Sequence, residues 1–295
     1  MSQFAKKLLV PTPTANGALK KPHHIAYMDW GDACNPHVVF CVHGLTRNCR
    51  DFDYLASALS SQCRIICPDV VGRGQSDWLE DEKDYDYHPV YLSDATSLIA
   101  HIQSQYCVPI TIDWVGISMG GLIGMMVAIE PEVAIHRLVL SDIGPLIPVA
   151  ALKRMSEYVG KDVHFKNLEE FETYIRKISA PFGPLTDEQW HHLTIHSARL
   201  RSDDTYSFYY DPKISASFKE HALLEDIDLW KYWDMLRIST LVIRGAESDV
   251  LLAQTAAEMQ KRGPKAKIVE LPGIGHAPIL LDNAQISMVK DFLLM

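Results

Sequence analysis

Residues 110–127 read ITIDWVGISMGGLIGMMV, an apolar strand pattern that runs without a spacer into a helix of small and apolar residues. The junction between the two is the pentapeptide GISMG at residues 116–120. This order is typical of a nucleophile elbow, in which a serine occupies a strained turn between strand and helix. The flanking glycines would allow close backbone approach on both sides of the serine. The stretch therefore predicts that Ser118 projects its hydroxyl above the edge of a sheet.

Strand and helix patterns alternate on both sides of this stretch. Apolar runs predict further buried strands at residues 37–42, 64–67, 137–142, 240–244 and 267–271. Nearly continuous apolar strands are typical of a parallel sheet covered on both faces, and parallel strands need helical crossovers. The sequence therefore predicts an α/β fold with a mostly parallel central sheet flanked by helices.

Two segments depart from the alternation. Residues 1–23 are polar and contain prolines, so we expect an arm that lies on the surface. Residues 24–30 then alternate in polarity, which predicts an antiparallel strand leading into the sheet.

From 146 to 238 the chain has amphipathic helical patterns and no buried strand pattern. We expect this segment, 146–238, to be a helical cap inserted into a core domain of residues 1–145 and 239–295.

Composition limits the classes of function. Hydrophobic residues make up 47% and charged residues 22% of the chain, as in ordinary soluble enzymes. The net charge of -9 argues against a nucleic-acid or anionic-membrane partner. The six cysteines form no CxxC pair, the apolar run before Pro11 is too short for a secretory signal, and no window reaches membrane-spanning length. We therefore expect a cytoplasmic protein with reduced thiols.

A serine is a weak nucleophile at neutral pH, so Ser118 would need a histidine as base and an acid to orient that histidine. The sequence offers both after later strands. Asp249 lies five residues beyond Arg244, and His276 lies five residues beyond Leu271. Two other acids, Asp142 and Glu247, remain alternatives for the orienting role.

Four features occur in a characteristic order: His43-Gly44 after one strand, GISMG after another, an aspartate after a later strand and Gly275-His276 after the last. Over essentially the whole chain this order resembles the α/β-hydrolase superfamily, in its cap-bearing, esterase-like branch. The resemblance implies Ser118 as nucleophile, His276 as general base and then acid, and Asp249 as the orienting carboxylate. It also implies an oxyanion hole formed by the backbone N–H groups of Leu45 and Met119.

Two residues near the proposed oxyanion hole are candidates for substrate binding. Arg47 could bind a substrate carboxylate with both arms of its guanidinium group, although an arginine here is more often an ion-paired loop residue. His43 is the second candidate. Glu188, His192 and His196 share one face of a predicted helix, but their order is not that of a zinc motif, so we expect no metal and no cofactor.

The expected function is that of a serine hydrolase, a carboxylesterase that uses water to cleave small esters through an acyl-enzyme. The same fold and triad also resemble C–C bond hydrolases, lactonases, thioesterases and perhydrolases, and GISMG does not separate them. Dehalogenases and epoxide hydrolases fit less well, because they need a carboxylate where this chain has Ser118. A ligand-binding protein that keeps the fold without catalysis is the alternative outside the enzymes.

Overall fold

The structure is a computed structural model that describes residues 3–216 and 225–295. Its strands, in chain order, are β1 (Gln3–Pro13), β2 (Leu19–Trp30), β3 (His37–Val42), β4 (Arg64–Pro68), β5 (Thr111–Ile117), β6 (Ile135–Ser141), β7 (Leu146–Ile147), β8 (Ala198–Leu200), β9 (Tyr206–Phe208), β10 (Ile227–Asp228), β11 (Ser239–Gly245) and β12 (Lys267–Leu271). The helices of the described residues are α1 (Asp53–Leu59), α2 (Leu92–Gln103), α3 (Met119–Val127), α4 (Val149–Ser156), α5 (Leu168–Ile178), α6 (Asp187–Ser197), α7 (Trp230–Trp233), α8 (Ala253–Met259) and α9 (Asn283–Leu293).

The central sheet has the strand order β1-β2-β4-β3-β5-β6-β11-β12. The pairings from β4 through β12 are parallel, and only β1 with β2 and β2 with β4 are antiparallel among these strands. Strands β3 and β4 are buried on almost every residue because helices cover both faces of the sheet. The predicted α/β architecture with a mostly parallel central sheet is therefore confirmed.

The N-terminal segment differs from the predicted surface arm. Residues 3–13 form β1, which pairs along its length with β2 in a long antiparallel hairpin. The register shifts between Val10 and Thr12, so a bulge lies at Pro11. Proline cannot donate a ladder hydrogen bond, but an edge strand tolerates it, and β1 is the edge strand of the sheet. The prediction of an arm was wrong because polar residues and prolines are also what an exposed edge strand contains.

The segment between β6 and β11 stands apart from the sheet. It contains α4, α5, α6 and the short helix α7, as the amphipathic patterns predict. It also contains four short strands, which pair as β7 with β10 and β8 with β9. We call residues 146–238 the insertion. Among the described residues, none of the helices has both the length and the apolar character needed to cross a lipid bilayer.

The core lies on the two faces of the sheet. One cluster includes Phe40 and Trp114, whose rings stack with centroids 6.0 Å apart. The cluster on the other face includes Phe52 from the loop after β3 and Val289 from α9. Burial of both faces fixes the sheet register, since a slip of one residue would turn every side chain to the opposite face. This fixed sheet holds the carboxyl ends of β3, β5 and β6 at one edge.

Candidate active site

Ser118 lies on a strained turn between β5 and α3. Its backbone angles are φ 52° and ψ -117°, a conformation that residues with side chains rarely adopt. A Cβ atom at Gly120 would lie 1.9 Å from the carbonyl oxygen of Val42, and one at Gly116 would lie 2.3 Å from the amide nitrogen of Gly121. The two glycines are therefore required by the close passage of α3 over the ends of β3 and β5.

Three side chains form a continuous hydrogen-bonded chain at this turn. The hydroxyl oxygen of Ser118 lies 2.9 Å from Nε2 of His276. Nδ1 of the same imidazole lies 2.7 Å from Oδ2 of Asp142. A carboxylate accepts from Nδ1–H, which leaves the lone pair of Nε2 free to accept from the serine hydroxyl. The geometry is that of a serine, a base and an orienting acid.

Asp142 is held firmly in its orientation. Its side chain is fully buried, directly after the last residue of β6. The Gly245 N–H donates to Oδ1 at 2.9 Å, and the Ser248 hydroxyl donates to Oδ2 at 2.5 Å. A buried carboxylate is stable only when its oxygens are satisfied in this way. The end of β11 and the loop after it therefore contribute two donors to Asp142, and Asp249 of that loop is not the partner of His276.

The expectation that Asp249 orients His276 was wrong. Asp249 forms a two-point ion pair with Arg154 of α4, with distances of 2.5 and 2.9 Å, and its side chain is 47% exposed. Asp142, one of the two alternatives, occupies the place that Asp249 was expected to take. Asp142 follows its strand immediately, whereas Asp249 lies four residues beyond Gly245, the end of β11.

Two backbone N–H groups are free at the cavity that Ser118 lines. Leu45 and Met119 both line this cavity. Within the described part of the chain, neither of their N–H groups has an acceptor. Met119 is the first residue of α3, where helical N–H groups lack an intrahelical acceptor and carry partial positive charge. Both residues expected to form the oxyanion hole therefore border the cavity of Ser118 and have a backbone N–H group without an acceptor.

Arg73 anchors the loop that carries Leu45. Its side chain is completely buried and donates to the carbonyl oxygens of Leu45 and Val71, at 2.8 and 2.7 Å, and to the hydroxyl of Tyr91, at 2.8 Å. The guanidinium group also lies 5.2 Å from the centroid of the Tyr91 ring. The peptide of Leu45 is held from its carbonyl side, which fixes the direction of the loop. No pattern in the sequence indicates that Arg73 contacts Leu45.

The structure does not place His43 or Arg47 as free substrate ligands. His43 is fully buried: its Nε2 accepts from the Val70 N–H, and its Nδ1–H donates to the Gly44 carbonyl. Burial lowers the pKa of His43 to about 3, so this imidazole is neutral. Arg47 borders a cavity, but Asp51 and the Ser197 hydroxyl occupy its donors. Both residues instead hold the loop after β3.

Two cavities meet at Ser118. The larger has a volume of about 230 Å³ and an almost wholly apolar wall, to which the insertion contributes Ile147, Leu152, Met155, Ile214, Ile227 and Leu229. The smaller has a volume of about 80 Å³ and also borders His276. Its wall includes the polar residues Thr46, Arg47, Asp51, Arg154, Tyr158 and Ser179. The two sides of a bound molecule would therefore meet different environments.

One cluster of possible metal ligands occurs among the described residues. His192 and His196 of α6 approach Asp53 of α1, with ligand atoms within 4.8 Å of one another. Asp53 replaces Glu188 of the sequence pattern, and it is already ion-paired with Arg50. The guanidinium group of Arg50 repels a cation, so the charges around this cluster do not favour metal binding.

Comparison with known proteins gives the class. The sequence model of the alpha/beta hydrolase family matches residues 38–286. This is most of the chain and includes Ser118, Asp142 and His276. The chain belongs to the alpha/beta hydrolase family, and the resemblance drawn from its motifs is confirmed.

Individual relatives align over nearly the full length. A 3-hydroxybutyrate-oligomer hydrolase from Cupriavidus necator is 42% identical over 277 residues, which cover 92% of each chain. A solved structure from Rickettsia typhi superposes with a TM-score of 0.89 at 30% identity and covers 100% of this chain and 99% of its own. An alpha/beta hydrolase structure from Novosphingobium aromaticivorans gives a TM-score of 0.82 at 32% identity and covers 98% of both chains. The protein is therefore a hydrolase by family and by fold.

Proposed function

We propose that the protein hydrolyses small carboxylic esters through an acyl-enzyme on Ser118. The observation that carries this proposal is the hydrogen-bonded chain from Asp142 through His276 to Ser118, together with the free N–H groups of Leu45 and Met119, which line the same cavity. Each of these features alone can occur in a protein for structural reasons, without catalysis. Together they provide a nucleophile, a base and a place for the developing negative charge.

In the acylation step, the Ser118 hydroxyl attacks the ester carbonyl while Nε2 of His276 takes its proton. The carbonyl oxygen becomes an oxyanion, and the N–H groups of Leu45 and Met119 donate to it. The C–O bond to the alcohol then breaks, and the imidazolium returns the proton to the departing oxygen. Asp142 stays ionised throughout and stabilises the imidazolium.

In the deacylation step, Nε2 of His276 takes a proton from water, and the resulting hydroxide attacks the acyl-enzyme carbonyl. The same two N–H groups stabilise the second oxyanion. Cleavage of the bond to Ser118 releases the carboxylic acid and returns the proton to the serine. No cofactor or metal is needed for this sequence of steps.

We infer a substrate class from the cavities and from the relative. The apolar cavity of about 230 Å³ is below the range of about 300–1,000 Å³ that is usual for drug-sized ligands, which favours short acyl groups. The relative of 42% identity is named for hydrolysis of 3-hydroxybutyrate oligomers, which are chains of short hydroxy acids joined by esters. Short oligoesters of this type are the substrates we propose first.

We also propose that the insertion, residues 146–238, acts as a cap over the site. Its contribution to the wall of the apolar cavity, through α4 and the strands β7 and β10, supports this role. The division into a core of residues 1–145 and 239–295 and a cap follows the same boundary. A cap of this kind would exclude water from the acyl group and select its length.

The experiment is an activity screen of purified protein against panels of short esters, thioesters, lactones, β-diketones and the dimer and trimer of 3-hydroxybutyrate. Ser118→Ala is the blank, and circular dichroism checks that it remains folded. We expect turnover of short esters and of the oligomers that falls at least about a thousandfold in Ser118→Ala. Cleavage of β-diketones alone would overturn the ester assignment, and no turnover of any panel would favour a binding protein.

A further inference from the structure

The wall of the smaller cavity at Ser118 contains two arginines and one carboxylate, Asp51. Arg154 of α4 and Arg47 both border it, together with His276. We propose that Arg154 binds the carboxylate of ester substrates that carry one in their alcohol portion, and that Asp249 occupies this place in the free enzyme. This inference rests on the proposed ester hydrolysis and names the part of the substrate that fills the second cavity.

The two arginines differ in how firmly their donors are engaged. Arg47 has a side chain only 11% exposed and is paired with Asp51, which is 2% exposed. Nη1 of Arg47 also donates to the Ser197 hydroxyl at 2.9 Å. Breaking such a buried pair would leave an uncompensated carboxylate, which is strongly unfavourable. Arg47 is therefore part of the frame of the cavity and is not free to bind a ligand.

Arg154 is paired in a way that permits exchange. Its side chain is 37% exposed and that of Asp249 is 47% exposed, so water can solvate either partner once the pair opens. Exposed ion pairs contribute little to stability, and loss of this pair leaves no buried charge. Tyr158, which also borders the cavity, lies close enough to Arg154 to interact with it electrostatically. Arg154 can therefore exchange one carboxylate for another.

The present contact already has the geometry that a substrate carboxylate would adopt. Nε and Nη2 of Arg154 donate in parallel to the two oxygens of Asp249. The planar guanidinium group is suited to this two-point contact, which lysine cannot make. Asp249 thus acts as a resident carboxylate on the guanidinium group of Arg154. Asp249, which the sequence suggested as the orienting acid of His276, therefore has a different role.

The chemistry of the proposed substrates requires such a group. In a dimer of 3-hydroxybutyrate, two carbon atoms separate the ester oxygen from the carboxylate carbon. With the acyl part in the apolar cavity, the carboxylate would enter the smaller cavity beside His276. A chain of net charge -9 repels anions, so a local cation is needed to bind them. Of the two arginines that border this cavity within the described residues, Arg154 is the one whose carboxylate partner is accessible to water, at 47% exposure against 2% for the partner of Arg47.

The test compares two esters with the same acyl group. One is the 3-hydroxybutyrate dimer, and the other is sec-butyl 3-hydroxybutyrate, in which a methyl group replaces the carboxylate. In Arg154→Met we expect the ratio of kcat/KM for the dimer to kcat/KM for the neutral ester to fall about 10- to 100-fold, mainly through KM for the dimer. Arg154→Lys should recover part of the ratio, because it keeps the charge but not the fork.

Arg176→Met is the matched control. Arg176 lies on α5 of the insertion, is paired with Glu172 and borders neither cavity. The substitution removes the same charge, so it measures any long-range effect, and we expect an unchanged ratio. Asp249→Asn should lower KM for the dimer several-fold, since it removes the resident carboxylate. An unchanged ratio in folded Arg154→Met, or a ratio in Asp249→Asn that falls as far as in Arg154→Met, would overturn the proposal.

A binding measurement separates failure of this inference from failure of the proposed function. Calorimetric titration of 3-hydroxybutyrate into Ser118→Ala requires no turnover. We expect binding that weakens about 10-fold or more when Arg154→Met is added. Absence of ester turnover with retained, Arg154-dependent binding would contradict the esterase and support the carboxylate site. Binding of equal strength in Ser118→Ala with and without Arg154→Met would overturn the proposed carboxylate site, even if the protein hydrolyses esters.

Discussion

Asp142 sets the protonation pattern of the proposed site. Its Oδ2 accepts from His276, while the Gly245 N–H and the Ser248 hydroxyl hold it in place. An asparagine here could present its NH₂ group to the imidazole and favour the wrong tautomer, with the proton on Nε2. Serine would then have no acceptor for its proton.

We therefore expect Asp142→Asn to reduce kcat for a short neutral ester by about 10³- to 10⁴-fold while the protein remains folded. Asp249→Asn should reduce it by less than about tenfold, because Asp249 contacts Arg154 and not His276. Steady-state kinetics of both variants, with unfolding curves as the control, measure this difference. A larger loss in Asp249→Asn than in Asp142→Asn would contradict the assignment of the acid.

The sequence paired Ser118 with His276, which are hydrogen-bonded in the structure, but its choice of Asp249 over Asp142 as the partner of His276 was wrong. Both acids follow strands, and the spacing along the chain is compatible with either. The difference between the two depends on three-dimensional details: Asp142 has φ 53°, and it accepts from Gly245 at the end of β11 and from Ser248 in the following loop. Such side-chain directions are set by packing between distant segments and leave no local pattern in the sequence.

At the scale of elements, β5, the turn at Ser118 and α3 behave as one unit. The glycines are predictable from sequence because close backbone approach admits no other residue, and the structure gives the distances that explain them.

The hairpin of β1 and β2 was not predicted, since an edge strand exposed to solvent has the same polar composition as a loop. The short strands of the insertion were missed for a related reason: strands of two or three residues are too short for alternation to be recognised.

At the scale of the whole molecule, three histidines with shifted pKa values contribute to the dependence of stability on pH: one pKa is raised and two are lowered. Hydrogen bonds to the buried Asp113 and to Cys63 raise the pKa of His37 to about 9. Burial lowers the pKa of His43 to about 3, and burial with nearby arginines lowers that of His196 to about 3. The folded state therefore favours a charged imidazole at one position and neutral imidazoles at the others.

Proton linkage determines whether the contribution of each histidine to the free energy of unfolding rises or falls with pH. The contribution of His37 is fully present below its unfolded pKa of about 6.5 and is lost as the pH rises through about 9. Those of His43 and His196 are present above about 6.5 and are lost as the pH falls, because the unfolded chain takes up protons that the folded chain does not. We expect the free energy of unfolding to be greatest near pH 6.5–7 and to fall by about 1–3 kcal/mol towards pH 9.

Urea denaturation at intervals between pH 5 and pH 9.5 measures this curve. His37→Gln serves as the control: it should remove the fall on the alkaline side while leaving the fall on the acid side. A free energy of unfolding that rises steadily from pH 6.5 to pH 9, or an alkaline side unchanged in His37→Gln, would contradict the role of the His37–Asp113 pair.

The most direct measurement of the central claim is covalent labelling of the native protein by a fluorophosphonate, read by intact-protein and peptide mass spectrometry in parallel with ester turnover. We predict one phosphonyl adduct, located on Ser118, whose formation removes turnover in proportion. Asp142→Asn should slow labelling, and Ser118→Ala should neither label nor hydrolyse esters. An adduct on another residue, or turnover that persists in folded Ser118→Ala, would contradict the account.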